Sequence, residues 1–308
     1  MKHLRRLALA ADAVALMTLM LGSWTRINGA GLTCPDWPLC RGQLLPSLVG
    51  GTIWEWLHRL LAFAVAPLVL ALIVVAWRER RRSPFITPTM TAIAVLFLVQ
   101  VFLGAETVRL ANTPISVVLH WATAMALIAA LSAMAVFAMA SDPLELARAS
   151  SGSYVLPIAI GLTAVAAFAT MCIGAYVSSS GAGLACLSIP QCAGNVEVYT
   201  PGQYVQMLHR IAAGVTLVFA AGTFALAWAR GASNRVRAAL LIGTALVAVQ
   251  VLLGLLNVAL RLPTDLREAH AVNAALLFLA FFVATAFSTL DVTPRGRVRL
   301  LAENNARR

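Results

Sequence analysis

Charge is what this chain has least of. Only 11% of its 308 residues are charged, with 12 acidic against 23 basic side chains, while 60% are hydrophobic. A soluble domain ordinarily carries about a quarter charged residues, so a water-soluble globular fold is excluded. Cysteines number only five, and the four that recur as two pairs have five residues between partners, wider than the two to four usual between paired zinc ligands. Carboxylates are so sparse that a metal site built from several of them has little to draw on.

Long apolar runs are present in abundance. Stretches near 7–25, 52–77, 88–105, 115–140, 154–177, 202–229, 238–258 and 265–288 are each long enough to cross a hydrocarbon core of about 30 Å at about 1.5 Å per residue. The expectation is an all-α polytopic membrane protein with eight transmembrane helices and both termini on one side. Arginine placement gives that side. Sixteen of the 23 basic residues fall in the N-terminus, the 78–82 loop, Arg148, the 230–237 loop and the tail, so the positive-inside rule puts both termini in the cytoplasm, or in the matrix of an organelle; a bacterial inner membrane is the expected location. Topology and contact with anionic membrane lipids account for the net charge of +11, and nucleic-acid binding is not expected.

Lys2, Arg5 and Arg6 ahead of an apolar run also fit a cleaved signal peptide. The run continues through Leu21, however, and cleavage would leave an odd number of spans, so the first span is expected to stay. Asp12 within it is read as a carboxylate that snorkels or pairs with a neighbour.

The chain repeats itself. LGSWTRINGAGLTCPDWPLCRG at 21–42 aligns with IGAYVSSSGAGLACLSIPQCAG at 173–194; LHRLLAF at 57–63 answers LHRIAAG at 208–214; QVFLG at 100–104 answers QVLLG at 250–254. Two tandem four-helix units, 1–145 and 146–308, are joined through the polar 141–153 stretch. Each begins on the same side, so the units are parallel, with a pseudo-two-fold axis along the membrane normal.

Four histidines follow the repeat: His58 and His120 recur as His209 and His270. Each lies a few residues inside the outer end of a span, at similar depth. A lone membrane histidine is ordinarily a helix-packing hydrogen bond, but four at equivalent positions point to a site. Two imidazoles facing across a helix bundle suit the axial positions of a haem iron. Non-haem iron, copper or zinc would draw further cysteine or carboxylate ligands, and only Glu55 is at hand, in one half. His3 has no counterpart and is assigned nothing.

Glu55 breaks the symmetry. It precedes His58 by three positions and shares its helix face, whereas Gln206 stands before His209. A carboxylate beside a porphyrin can take a proton or stabilise positive charge; the plainer alternative is a hydrogen bond to solvent or to Arg59. Cys34 with Cys40, and Cys186 with Cys192, lie on the extracytoplasmic face, where an oxidising compartment favours a disulfide in each loop. Bracing is the expected role, with thiol–disulfide exchange a second option for the first pair. Cys172 is read as a small core hydrophobe. Arg59, Arg109, Arg210 and Arg261 are candidates for haem propionates at the outer rim, ordinary snorkelling being the alternative.

GSWTRINGAGLTCPDWPLCRG, EWLHR, GAETVRLANTPISVVLHWATA and the repeated GAG–Cys–His pattern together resemble the haem A synthase family, across both halves. The resemblance implies an oxidoreductase that converts the C8 methyl of haem O to a formyl group, for terminal cytochrome oxidase assembly. It implies that Glu55, His58 and His120 serve the substrate haem and that His209 and His270 hold a b-type haem as cofactor. Haem O synthase and oxidase assembly proteins would be partners; self-association is left open. The less polar LSIPQ between the second cysteines, against PDWPL in the first loop, suggests that only the first loop meets a partner or substrate. Two other readings remain: a bis-histidine di-haem cytochrome between quinol and a periplasmic acceptor, which gives no reason for Glu55 against Gln206, and a non-catalytic haem chaperone.

Overall fold

The computed structural model describes residues 1–139, 153–192 and 200–292. Eight helices long and apolar enough to cross a membrane occupy most of them: α1 Lys2–Ile27, α2 Thr52–Glu79, α3 Ile86–Arg109, α4 Pro114–Met139, α5 Val155–Ser179, α6 Pro201–Ala229, α7 Asn234–Ala259 and α8 Thr264–Val292. The eight expected spans are therefore found, and among the described residues there is no strand, only an isolated bridge between Cys40 and Gln43. The protein is a multi-pass membrane protein. The 141–153 junction lies almost wholly outside the described residues, as do Arg148 and the tail arginines.

Local chemistry sets the helix ends. α6 starts at a capping box in which the Thr200 hydroxyl accepts from the Gln203 amide and the Gln203 side chain accepts from the Thr200 amide, with Pro201 at the first position, where its missing N–H is no loss. Pro114 opens α4 in the same way. At the outer turns before α4 and α8, Ala111, Asn112, Arg261 and Leu262 adopt positive φ, closing each helix pair within a few residues.

Packing sorts the helices. In the first half α1 touches α2 and α4, and α3 touches α2 and α4; α5 to α8 repeat these neighbours. The halves meet where α4 packs on α5 and α8, and where α1 packs on α8. α4 and α8, which carry His120 and His270, are thus the central helices. α4 suits that place because its run of alanines, with Ser132, lets neighbours approach closely, the device by which membrane helices gain van der Waals contact without a hydrophobic drive between them. In α8 the bulk comes from Phe278 and Phe281, and Phe281 fills the space left by Gly243 on α7. Side chains such as Phe63, Leu70, Leu98 and Val218 point outward and meet lipid.

Candidate functional site

Each of the four histidines is seated against a glycine of a neighbouring helix. A Cβ built on Gly22 of α1 would lie 2.6 Å from Cε1 of His58, and one on Gly174 of α5 would lie 2.8 Å from Cε1 of His209. Gly104 of α3 and Gly254 of α7 abut His120 and His270 in the same way, at 3.2 and 3.4 Å. At Gly22 and Gly174 a Cβ would occupy ring space, so these two glycines are there for close approach; at Gly104 it would be tight and at Gly254 in ordinary contact.

The hydrogen bonds around the rings also come in matched sets. Nδ1 of His58 lies 2.9 Å from the Thr18 carbonyl oxygen, and Nδ1 of His209 lies 3.2 Å from that of Thr170. A carbonyl only accepts, so Nδ1 carries the proton and Nε2 keeps its lone pair, the tautomer and orienting bond found in metal-bound imidazoles. On the facing helices the Gln100 amide nitrogen approaches Nε2 of His120 at 3.4 Å, and that of Gln250 approaches Nε2 of His270 at 3.0 Å. Nδ1 of both His120 and His270 is buried without a partner.

The imidazoles come together in pairs within a half. His209 and His270 have ring centroids 6.4 Å apart, at 71° to one another. One metal held between two imidazoles, with bonds of about 2.0 Å and about 1.1 Å from each nitrogen to its ring centre, asks for centroids about 6 Å apart. His58 and His120 stand on α2 and α4, both of which pack on α1 and on α3. Among the described residues no group of three or more His, Cys, Asp or Glu side chains gathers. The donor set is therefore two imidazoles per half, which fits a metal that brings its own equatorial ligands.

Glu55 faces the outer loop. Its Oε2 accepts from the Thr33 hydroxyl and the Cys34 amide, both at 2.9 Å, and its Oε1 pairs with Arg59 at 2.7 Å. Gln206 occupies the equivalent place: its Oε1 accepts from the Cys186 amide at 2.6 Å and its Nε2 donates to the Gly183 carbonyl at 2.9 Å. Both residues are only 4% exposed. The acid and the amide thus perform one task, latching a cysteine loop over the mouth of its bundle, and only the first latch can carry a charge.

Arg59 and Arg210 complete the latches. Arg59 donates to the carbonyls of Cys34, Asp36 and Leu39, and Arg210 to those of Cys186, Ser188, Pro190 and Gln191. Their Nη groups are engaged with loop backbone, and that of Arg59 also with Glu55, so a haem propionate would compete with those bonds. Arg109 pairs with Glu106 at 2.8 Å on the exposed outer rim, and Arg261 is exposed in the turn before α8. Cys34 is disulfide-bonded to Cys40, and Cys186 to Cys192; Cys172 carries no bridge. The first loop is further tied by Asp36, whose carboxylate accepts from the Gly42 and Arg41 amides. These bonds, the Gly42 bond foremost, hold the Asp36 carboxyl below the usual carboxylate range. Asp12 accepts from Ser132 of α4 at 2.8 Å, the neighbour pairing expected of it.

The four seating glycines, Gln100, Gln250 and Asn273 were not singled out in the sequence. The signal was nevertheless there, since Gly22 and Gly174, Gly104 and Gly254, and the two glutamines all coincide when the halves are aligned.

A profile of the COX15-CtaA family, described as cytochrome oxidase assembly protein, matches residues 5–50 and 47–282. A protein named heme A synthase from Bacillus licheniformis is 27% identical over 296 residues, covering 92% of this chain and 95% of its own length. Its namesake from Shewanella oneidensis is 28% identical over 316 residues, covering 88% and 92%. That from Shouchella clausii is 31% identical over 220 residues, covering 69% and 72%. With a family match running through both cysteine loops and all four histidines, the chain belongs to the COX15-CtaA family of cytochrome oxidase assembly proteins.

Proposed function

We propose that this chain is a haem A synthase, which oxidises the C8 methyl of haem O to a formyl group for cytochrome oxidase assembly. The observation that carries the assignment of roles is the latch pair: one loop latch and one way of seating the histidines occur twice, and an ionisable group accompanies only one copy. Gln206 holds the equivalent cysteine amide without a charge, so that contact does not require the ionised form of Glu55, whose other oxygen pairs with Arg59. We assign the charge of Glu55 to chemistry in the 1–145 half. His58 and His120 bind and orient the substrate haem there, and Glu55 takes or holds a proton at its carboxylate as the methyl carbon is oxidised. The conversion removes four electrons and adds one oxygen atom. His209 and His270 of the 146–308 half hold a b-type haem, which supplies a one-electron carrier when bound.

The Cys34–Cys40 and Cys186–Cys192 loops, tied by Arg59 and Arg210, close the outer mouths and limit water entry. Propionates at that rim would meet Arg109 and Arg261 directly, with Arg59 and Arg210 serving through the loops. The two halves are related by a pseudo-two-fold axis, which the repeated neighbours of α1–α4 and α5–α8 support. Arg78, Arg80, Arg81, Arg82, Arg230, Arg235 and Arg237 cluster on the face opposite the loops, which supports cytoplasmic termini in a bacterial inner membrane. Haem O synthase and oxidase assembly proteins are the expected partners.

Glu55→Gln tests the reading. Because Gln206 performs the same latch, the variant should fold and retain haem in both sites while haem A formation falls at least a hundredfold, a general-acid–base loss. An electron carrier would stay reducible at the normal rate with no other change. Undiminished haem A formation would refute the role given to Glu55.

A further inference from the structure

The two glutamines beside the inner histidines are equivalent in sequence and differ in how they are held. Gln250 is locked: its Oε1 accepts from Asn273 at 2.7 Å, and its Nε2 reaches both the backbone oxygen of His270, at 3.1 Å, and the ring nitrogen. Asn273 is itself pinned to the Leu246 carbonyl at 2.9 Å. When a metal takes the imidazole lone pair, Gln250 loses one contact and keeps two.

Gln100 has no such support. Position 123, three residues after His120 as Asn273 is after His270, is a threonine whose hydroxyl bonds back to Leu119 of its own helix. Oε1 of Gln100 is buried with no partner, and its Nε2 has only the 3.4 Å approach to His120, beyond the usual range for a nitrogen donor. When His120 gives its lone pair to a metal, both ends of this carboxamide are orphaned in the bundle. Trp121 Nε1, one position on from His120, is likewise buried without a partner, and the second half has Ala271 there. Buried polar groups are almost always paired in a working state, and a ligand entering the first site can bring such a partner.

We propose that Gln100 is a specificity-determining residue of the first site, hydrogen-bonding a hydroxyl on the rim of the bound porphyrin, and that Asn273 withholds the same function from Gln250. The inference rests on the haem A synthase reading, which puts haem O in the first half and a b-type haem in the second. Haem O carries a side-chain hydroxyl that haem B lacks, and oxidation of the C8 methyl creates another. A carboxamide can donate to and accept from either. A site built around such a bond also rejects a ligand that leaves its buried polar groups unpaired.

The test is an equilibrium competition between haem O and haem B for the purified full-length protein. The bound pigments are extracted and resolved, and the optical spectrum reports whether both sites are filled. Wild type should take one haem of each kind. Gln100→Leu should lower the first site's preference for haem O over haem B about tenfold, the equivalent of one net hydrogen bond, read by varying the ratio of the two haems supplied. Thr123→Asn should do the same while keeping the glutamine, by recreating the lock, and it guards against a folding defect in the first variant. A fall in that preference identifies the side-chain hydroxyl of haem O as the partner. An unchanged preference, with the alcohol-level C8 product released in excess of haem A, identifies the newly made hydroxyl. An unchanged preference with normal product distribution in both variants overturns the proposal. Failure of the wild type to take up haem O overturns the underlying reading instead.

Discussion

Replacing Gly22 by alanine drives a methyl group into the His58 ring. The new Cβ would stand 2.6 Å from Cε1, and ordinary contact begins near 3.4 Å, so ring and methyl must separate by about 0.8 Å. A metal–imidazole bond tolerates about 0.2 Å, and the His58 to Thr18 bond already sits at 2.9 Å. Either the ring leaves its ligating position or α1 and α2 spread, which as overpacking costs about 1–3 kcal/mol. Haem affinity at the first site should fall roughly 5- to 150-fold. The other glycines supply an internal scale, at 2.8 Å for Gly174, 3.2 Å for Gly104 and 3.4 Å for Gly254. Losses should therefore rank Gly22→Ala, then Gly174→Ala, then Gly104→Ala, with Gly254→Ala near wild type. Pyridine haemochrome content and the low-spin absorption spectrum of each purified variant measure the series. A Gly22→Ala protein with normal haem content, or a Gly254→Ala protein that loses its haem, would refute the seating argument.

Two further outcomes follow from the loops. The folded Asp36 carboxyl lies below its ordinary value of 3.8, so its contribution is fully present above that value and is lost as pH falls through the lower folded one. Exchange protection of the Arg41 and Gly42 amides, corrected for intrinsic rate, should hold at pH 5–7 and decline only below about pH 4; an Asp36→Asn protein with the same protection and pH profile would contradict this. Converting both Cys186 and Cys192 to serine should lower stability by about 2–3 kcal/mol but leave the second haem in place, because Arg210 and Gln206 still hold the loop. Denaturation in detergent beside haem content measures both effects, and haem loss as complete as in His209→Ala would show that the bridge does more than brace.

Much of the site was legible in the repeat. His58, His120, His209 and His270 stand out because an imidazole in an apolar span is costly and needs a reason, and because duplication supplied a second instance of each. Glu55 against Gln206 was visible as a difference, but which way the side chain turns was not. Spacing of three put Glu55 on the face of His58, while the donors that capture it, Thr33 and Cys34, belong to a loop more than twenty residues earlier. Arg59 and Arg210 were legible as cations at the rim and not as loop ties, for the same reason.

Composition and periodicity alone determined eight spans, two cysteine pairs and four histidines that recur at matching positions, because hydrophobic length and duplicated motifs are properties of the linear chain. Only the tertiary structure decided which glycine seats which imidazole, that Thr18 and Thr170 fix the ring tautomer, and that Gln250 is locked where Gln100 is left unpaired. Those facts depend on which helices are neighbours and on differences of a few tenths of an ångström between residues 16 to 40 positions apart, and neither is written in the sequence of any one helix.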